Sequence, residues 1–294
     1  MARVLILGSG GRLGAALAES YASRHEVTGL PRQSLDLSDF AQIEKKLGEL
    51  EFDVAINCAA LTNVDYCETH REEAFAVNAE AVRVIAEACQ KQSARLIHIS
   101  TDYVLSGEKA EPYREEDPAE PISVYGESKL AGERAALEVS PENLAVRVSW
   151  VFGPHRPSFI DAMLRRAKTE PEISAVDDKF STPSYTLDLA EMLEPYLTQI
   201  KTGGILHLCN GGSCSWREYA QHALDVANEI GLPMLAKTVN PIALDSLSAF
   251  VAKRPRYTRL SMDRFTRETG LKPRPWRDAV SDYVRTFGIK ILGN

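Results

Sequence analysis

The opening of this chain restricts what it can fold into more than any other stretch. Val4 to Leu7 is a short continuous apolar run that passes directly into Gly8-Ser9-Gly10-Gly11-Arg12-Leu13-Gly14 and then an alanine-rich segment, Ala15 to Ala22. An unbroken apolar run of this kind is the pattern of a parallel strand buried on both faces. Glycines 8, 11 and 14 follow the spacing GxxGxxG. The first allows a tight turn, the next lets backbone approach a pyrophosphate, and the third lets the following helix pack closely. The helix N-terminus adds partial positive charge. Strand, glycine turn and helix in that order predict a dinucleotide site at Gly8, Gly11, Arg12, Leu13 and Gly14.

The next segments extend that site. His25 to Leu30 reads as a second strand, after which a cofactor lacking the ribose phosphate usually meets an acidic side chain. Here Pro31-Arg32 stands instead. Arg32, with Arg12, suits a 2′-phosphate, which favours NADPH and leaves NADH open. Asp36, followed by Leu37, is placed toward the adenine side, and Ser38 or Asp39 can cap a helix from Phe40 to Leu50. A third strand, Asp53 to Asn57, closes on Cys58-Ala59-Ala60, small residues that let backbone come close to a ligand. A long helix is expected from Glu72 to Gln90, then a fourth strand, Arg95 to Ile99, delivering Ser100 and Thr101. His98, inside that apolar run, reads as a core residue.

A second motif carries chemistry. Of the ten tyrosines, only Tyr125 has a lysine, Lys129, four residues on. On a helix this spacing stacks both side chains on one face. A phenol titrates near ~10, and a neighbouring ammonium favours the phenolate, bringing the group toward a range useful in proton transfer. Thr101 at the strand end adds a hydroxyl for the same substrate oxygen. Hydroxyl, phenol and ammonium make a proton-delivery site for a carbonyl. The loop between, with Pro112, Pro118, Pro121 and Glu115-Glu116-Asp117, is long enough to suggest that it borders the substrate.

Further on, a fifth strand, Leu144 to Val148, leads to Trp150 at the pocket. A helix from Phe159 to Lys168 and a strand from Ile173 to Val176 follow. A helix from Leu187 to Ile200 and a strand from Ile205 to Cys209 return to the main sheet, and helices at Trp216 to Ile230, Met262 to Gly270 and Trp276 to Phe287 complete the chain. The expected division is a cofactor part over 1–170, with about 186–209 returning to it, and a substrate part mainly over 171–294.

Composition narrows the alternatives. A chain of 294 residues can hold one large α/β unit with a smaller one appended. Its net charge of −7, with basic and acidic residues interspersed, argues against a nucleic-acid partner. The apolar runs are far short of the ~20 residues of a membrane span, and the start lacks a signal-peptide layout. A cytoplasmic location is expected. Five cysteines without paired spacing read as reduced thiols, not metal ligands.

Together these strings resemble the dTDP-4-dehydrorhamnose reductase family of the extended short-chain dehydrogenase/reductase superfamily. The resemblance rests on Gly8 to Gly14, Asn57-Cys58-Ala59-Ala60, Val64-Asp65 with Glu68, Val77-Asn78, Ser100-Thr101-Asp102-Tyr103-Val104, Tyr125-Gly126-Glu127-Ser128-Lys129, Arg147 to Gly153, Thr182-Pro183 and Arg254-Pro255. It implies a Rossmann-type doubly wound parallel sheet with a smaller interleaved C-terminal α/β substrate part. It further implies an NADPH-dependent reductase of a nucleotide-linked 4-keto-6-deoxy sugar, in dTDP-L-rhamnose synthesis. Tyr125 is then the general acid, Lys129 lowers its pKa and holds the nicotinamide ribose, and Thr101 orients the carbonyl. Asp102, Tyr103 and Trp150 fall near the sugar, and Arg254 near the diphosphate. Leu61, Ser158 and Phe180-Ser181 depart from the family's usual residues, so the chemistry transfers more firmly than the choice of sugar. Ala15 and Ala16 open the helix in which some members carry a metal-binding glutamate, so no metal is expected. A homodimer is possible. Two other readings stay open: a cofactor-binding regulatory subunit similar to methionine adenosyltransferase beta, and an epimerase or dehydratase of the same superfamily.

Overall fold

A computed structural model describes residues 1–293. The first half alternates strand and helix: β1 (Arg3–Leu7), α1 (Arg12–Tyr21), β2 (Glu26–Leu30), α2 (Phe40–Gly48), β3 (Val54–Asn57), α3 (Val64–Thr69), α4 (Arg71–Phe75), α5 (Ala81–Lys91), β4 (Arg95–Thr101), α6 (Val124–Val139) and β5 (Leu144–Val148). Short strands β6 (Val151–Phe152), β7 (Ile173–Val176), β8 (Phe180–Ser181) and β9 (Ser184–Tyr185) follow, with α7 (Phe159–Thr169) between the first two. Then come α8 (Thr186–Thr198), β10 (Gly204–His207), β11 (Cys214–Ser215), α9 (Trp216–Glu229), β12 (Val239–Ile242), β13 (Tyr257–Thr258), α10 (Asp263–Thr269) and α11 (Trp276–Gly293).

Six strands form one parallel sheet in the order β10-β5-β4-β3-β1-β2. From β1 the chain steps outward to β2 and then back across to β3. The carboxyl ends of β1 and β3 therefore flank the switch point where open α/β sheets bind ligands. Alternation along β1 sorts its side chains to two cores. Val4 and Ile6 join Leu17 and Tyr21 of α1 and Leu193 and Tyr196 of α8. Leu5 and Leu7 join Ile43 and Leu47 of α2 and Ile85 of α5. The α8 helix packs in the first of these cores and β10 pairs with β5 at the edge of the sheet. A third core holds Ile160 and Leu164 of α7 together with Tyr219 and Leu224 of α9 and Tyr283 and Val284 of α11.

β5 and β7 fall at the bounds read from sequence, whereas the helix expected over Glu72 to Gln90 is broken. A π-helical turn, Ala76–Glu80, separates α4 from α5. Its cause is tertiary: buried Asn78 turns inward, accepts from Leu61 N–H at 2.8 Å and donates to Leu61 O and Ser128 Oγ, each at 3.0 Å. The extra backbone residue lets one amide serve both the loop after β3 and α6. The proline-rich loop also departs from expectation. Tyr113 pairs with the Arg259–Ser261 segment through 2.7 Å backbone bonds, and Glu115 accepts from His207 N–H. With the loop held there, Pro112, Arg114 and Glu116 line a separate surface groove. No helix among the described residues is long and apolar enough to cross a membrane.

α6 is fastened into the sheet by charge. Arg147 of β5 donates to both Glu133 carboxylate oxygens at 2.9 and 2.8 Å, and Ser100 Oγ of β4 donates to the same group at 2.5 Å. The pair is almost fully buried, at 3% and 1% side-chain exposure. Removing one partner of such a pair leaves a buried charge uncompensated. Glu133→Ala should therefore lose about 3–5 kcal/mol of unfolding free energy in a urea titration. A loss below about 1 kcal/mol, the worth of an exposed pair, would contradict the clamp.

Candidate active site

A cavity of about 650 Å³ runs from the glycine turn across the carboxyl ends of β1, β3 and β4 to Tyr125 and Trp150. Its narrow end is made for an anion. Gly8 has φ +76, a conformation L side chains rarely adopt, and a Cβ there would lie 2.8 Å from Ala59 N. Gly11 is the N-cap of α1, with no side chain capping it and no acidic residue in the first turn. The first-turn N–H groups therefore have no side chain of their own helix to satisfy them, and they carry the positive end of the helix dipole. A dinucleotide pyrophosphate fits this cradle.

Most of the residues read from the sequence line this cavity. At the glycine turn these are Gly8, Gly11, Arg12 and Leu13; Arg32, Asp36 and Leu37 form its outer edge. Cys58, Ala59 and Ala60 come from the end of β3, and Ser100, Thr101, Asp102 and Tyr103 from the end of β4. Tyr125, Lys129 and Trp150 close the inner end. Gly14 stands behind the lining, packed against Gly8 O as the third glycine of the turn.

Three residues behave differently from expectation. The Arg12 guanidinium is taken up by backbone carbonyls of Val151, Arg156 and Pro157, whereas the exposed Arg32 lines the outer edge of the cavity. Arg254 is paired with Asp65 at 2.9 and 2.7 Å, its guanidinium 4.3 Å from the Phe250 ring, and it lies outside the cavity lining. Lys129 gives its hydrogen bond to Ile99 O at 2.8 Å and lies 3.1 Å from His98 Nε2. Burial dominates the phenol of Tyr125 and pushes its pKa up, with the Thr101 hydroxyl acting the other way. The expected lowering by Lys129 does not figure among the influences on Tyr125, which desolvation governs. Burial also lowers Lys129 itself, to about 8, although Glu133 opposes the shift.

The start of α6 is fixed with care. Ser123 Oγ caps Gly126 N–H, and Glu68 of α3 accepts from Val124 N–H at 3.0 Å. Gly126 lies so close to Tyr103 O that a Cβ would collide with it. The Tyr103 and Tyr125 rings meet edge to face at 5.7 Å. Thr101 Oγ1 accepts from Tyr103 N–H and donates to Asp102 Oδ1, both at 3.2 Å. Asp102 is buried and also accepts from Ser149 and Ser181 hydroxyls at 2.8 and 2.9 Å. The carboxylate thus orients Thr101 from behind. Trp150 has φ +40, a costly conformation for a bulky residue, and its ring lies against Trp216 and Tyr219.

Sequence reading misses Lys179, Arg156 and the role of His98. Lys179 is fully buried beneath the Tyr103 and Trp150 rings, at 5.2 and 5.9 Å, and donates to Pro255 O at 2.5 Å. In sequence it stands between Asp178 and Phe180 as an ordinary surface charge would. Arg156 reaches back to Gly10 O at 3.1 Å and lines the cavity; an arginine in a proline-flanked loop carries no signal.

Comparison with known proteins places the whole chain among relatives of similar sequence and fold. A family model described as the RmlD substrate binding domain matches residues 2–289. The chain is 34% identical to dTDP-4-dehydrorhamnose reductase of Aggregatibacter actinomycetemcomitans, covering 98% of this chain and 99% of that protein. It is likewise 34% identical to the spore coat polysaccharide biosynthesis protein SpsK of Bacillus subtilis, over 97% and 98% of the two chains. A crystal structure of dTDP-4-dehydrorhamnose reductase from Bacillus anthracis in complex with NADP superposes with a TM-score of 0.91 at 32% identity, covering 97% of this chain and 99% of that one.

Burial holds Lys179 at about 8, below its value in an unfolded chain, so the cost of burying its charge is present below pH 8 and fades as the pH rises toward 10. Wild type should gain stability across that interval from this residue, and Lys179→Met should not. Urea unfolding at pH 7.5, 9 and 10 should show the variant losing ground to wild type by up to about 1.4 kcal/mol per pH unit. A difference independent of pH would contradict a charged, buried Lys179.

Proposed function

The chain belongs to the RmlD substrate binding domain family, and from that membership and the cavity we propose that it is an NADPH-dependent reductase of a dTDP-linked 4-keto-6-deoxy sugar, dTDP-4-dehydrorhamnose. The observation that carries the reading is the meeting, in one cavity, of an uncapped glycine-rich helix start with Thr101, Tyr125 and Lys129. The near-full-length similarity to dTDP-4-dehydrorhamnose reductases supports the same conclusion. A cytoplasmic location and a homodimer belong to this proposal as well.

When bound, the cofactor supplies the hydride to the sugar C4 carbonyl. The residues of this chain do the rest. The first turn of α1 holds the pyrophosphate, Arg32 the 2′-phosphate, and Lys129 the nicotinamide ribose. Thr101, held by Asp102 in the empty site, turns its single hydroxyl proton from that carboxylate to the carbonyl oxygen and fixes it beside the Tyr125 phenol. Burial keeps that phenol protonated until negative charge develops on the sugar oxygen, which is the state a general acid requires. Trp150 and Tyr103 wall the sugar side. The cofactor part is the sheet with its flanking helices. Packing of α7 with α9 and α11 favours a boundary with the substrate part near residue 158, ahead of the position near 170 read from sequence.

Tyr125→Phe should reduce turnover by about 10²–10⁴-fold while leaving NADPH affinity, read by fluorescence titration, unchanged. A near-normal rate would remove Tyr125 as the acid. Arg32→Ala should weaken NADPH by roughly ten- to a hundredfold, the worth of a charge-assisted contact, and NADH far less. Equal effects on both cofactors would exclude the phosphate role.

A further inference from the structure

Behind the cavity wall a chain of fully buried polar groups runs from β3 to α6. Ala59 N–H donates to Asn57 Oδ1 at 3.1 Å. That fixes the amide, so its Nδ2 faces His98 Nδ1 at 3.2 Å. An NH₂ group has only hydrogens to offer, so Nδ1 accepts, and a neutral imidazole that accepts at Nδ1 carries its proton on Nε2. This Nε2–H points at Lys129 Nζ, 3.1 Å away. An amine has a lone pair to receive it, whereas an ammonium has none. Asn57 and His98 are completely buried and Lys129 nearly so, which keeps water from relieving a mismatch. The imidazolium is no escape: burial and Lys129 both hold His98 well below its ordinary value.

We propose that His98 is a positioning residue for Lys129, which presents an N–H to the lysine nitrogen, favours the neutral amine while the site is empty, and makes cofactor binding a step that takes up a proton. This rests on Lys129 holding the cofactor. The other groups facing the lysine are few. Cys58, from the end of β3, has its thiol pushed up to about 12 and is neutral. Tyr125, one turn back on α6, is a protonated phenol. Glu133, one turn on, favours the ammonium but is already held by Arg147 and Ser100. Burial has brought Lys129 to about 8, and the ribose hydroxyls and phosphates of NADPH favour its charged form. The bound value therefore lies above the free one, and binding takes up a proton at pH values between the two. At pH 7 the lysine is already protonated and uptake is near zero. Toward pH 9 uptake approaches one proton, and affinity falls by up to about tenfold per pH unit.

Two measurements test this. In the empty protein with ¹⁵N-labelled histidine, the nitrogen shifts of His98 at pH 9 should report the Nε2–H tautomer; the Nδ1–H tautomer or an imidazolium would overturn the proposal. Calorimetric titration with NADPH in buffers of different ionisation enthalpy should give close to one proton taken up at pH 9 and almost none at pH 7. His98→Phe, which removes the N–H, should lower the pH 9 uptake below that of wild type. Equal uptake in variant and wild type, or none in wild type, would reject a tuning role. If the variant does not fold, the tautomer and the wild-type uptake still decide. Failure of NADPH to bind at all would reject the cofactor reading of the preceding subsection, with the tautomer then deciding this one.

Discussion

The buried triad of Glu133, Arg147 and Ser100 holds α6 at a fixed height over the ends of β4 and β5. Tyr125 and Lys129 ride on that helix, and Thr101 ends the strand beneath it. A helix held only by apolar packing could slide by a fraction of an ångström at little cost. An ion pair at 3% and 1% exposure cannot shift without stranding a charge. Ser123, Glu68 and the bare backbone of Gly126 fix the first turn of the same helix. The separation between phenol and threonine hydroxyl is thereby set before any ligand arrives, which is what positioning catalysis demands.

Behind this first layer lies a polar interior that is unusual for its depth. Asp102 gathers the hydroxyls of Thr101, Ser149 and Ser181. Asn57 and His98 stand behind Lys129, and Lys179 lies beneath the aromatic wall of Tyr103 and Trp150. Each is costly to bury alone and tolerable only with its partners in place. They make the inner end of the cavity stiff. The positive φ of Trp150 is a further cost carried by the same wall.

Much of the sheet was legible in the sequence because most of its strands are short apolar runs; β5 matches to the residue, as does β7 of the small β12-β7 sheet. The glycine turn and the Tyr125–Lys129 spacing located one cavity for the same reason: each is a local pattern with one geometric meaning. What escaped was set by tertiary contact. The π turn at Ala76–Glu80 answers to Asn78 finding partners in two other segments, and no spacing announces that. Lys179 reads as a surface lysine until β8, β13 and the Tyr103 turn enclose it. Arg12 reads as a phosphate ligand until the Val151–Pro157 carbonyls claim it. His98 is in the core as read, yet the strand pattern could not reveal that its ring meets Lys129 of α6.

The central claim is that this cavity carries a hydride from NADPH to a sugar carbonyl. Its most direct test is to incubate the protein with NADPH deuterated at both C4 positions and dTDP-4-dehydrorhamnose in ordinary water, then locate the label in the product by NMR. Deuterium at C4 of the reduced sugar, one atom per NADPH consumed, is the expected result. Label retained in the cofactor, or a product carrying hydrogen at C4 despite cofactor oxidation, would contradict it.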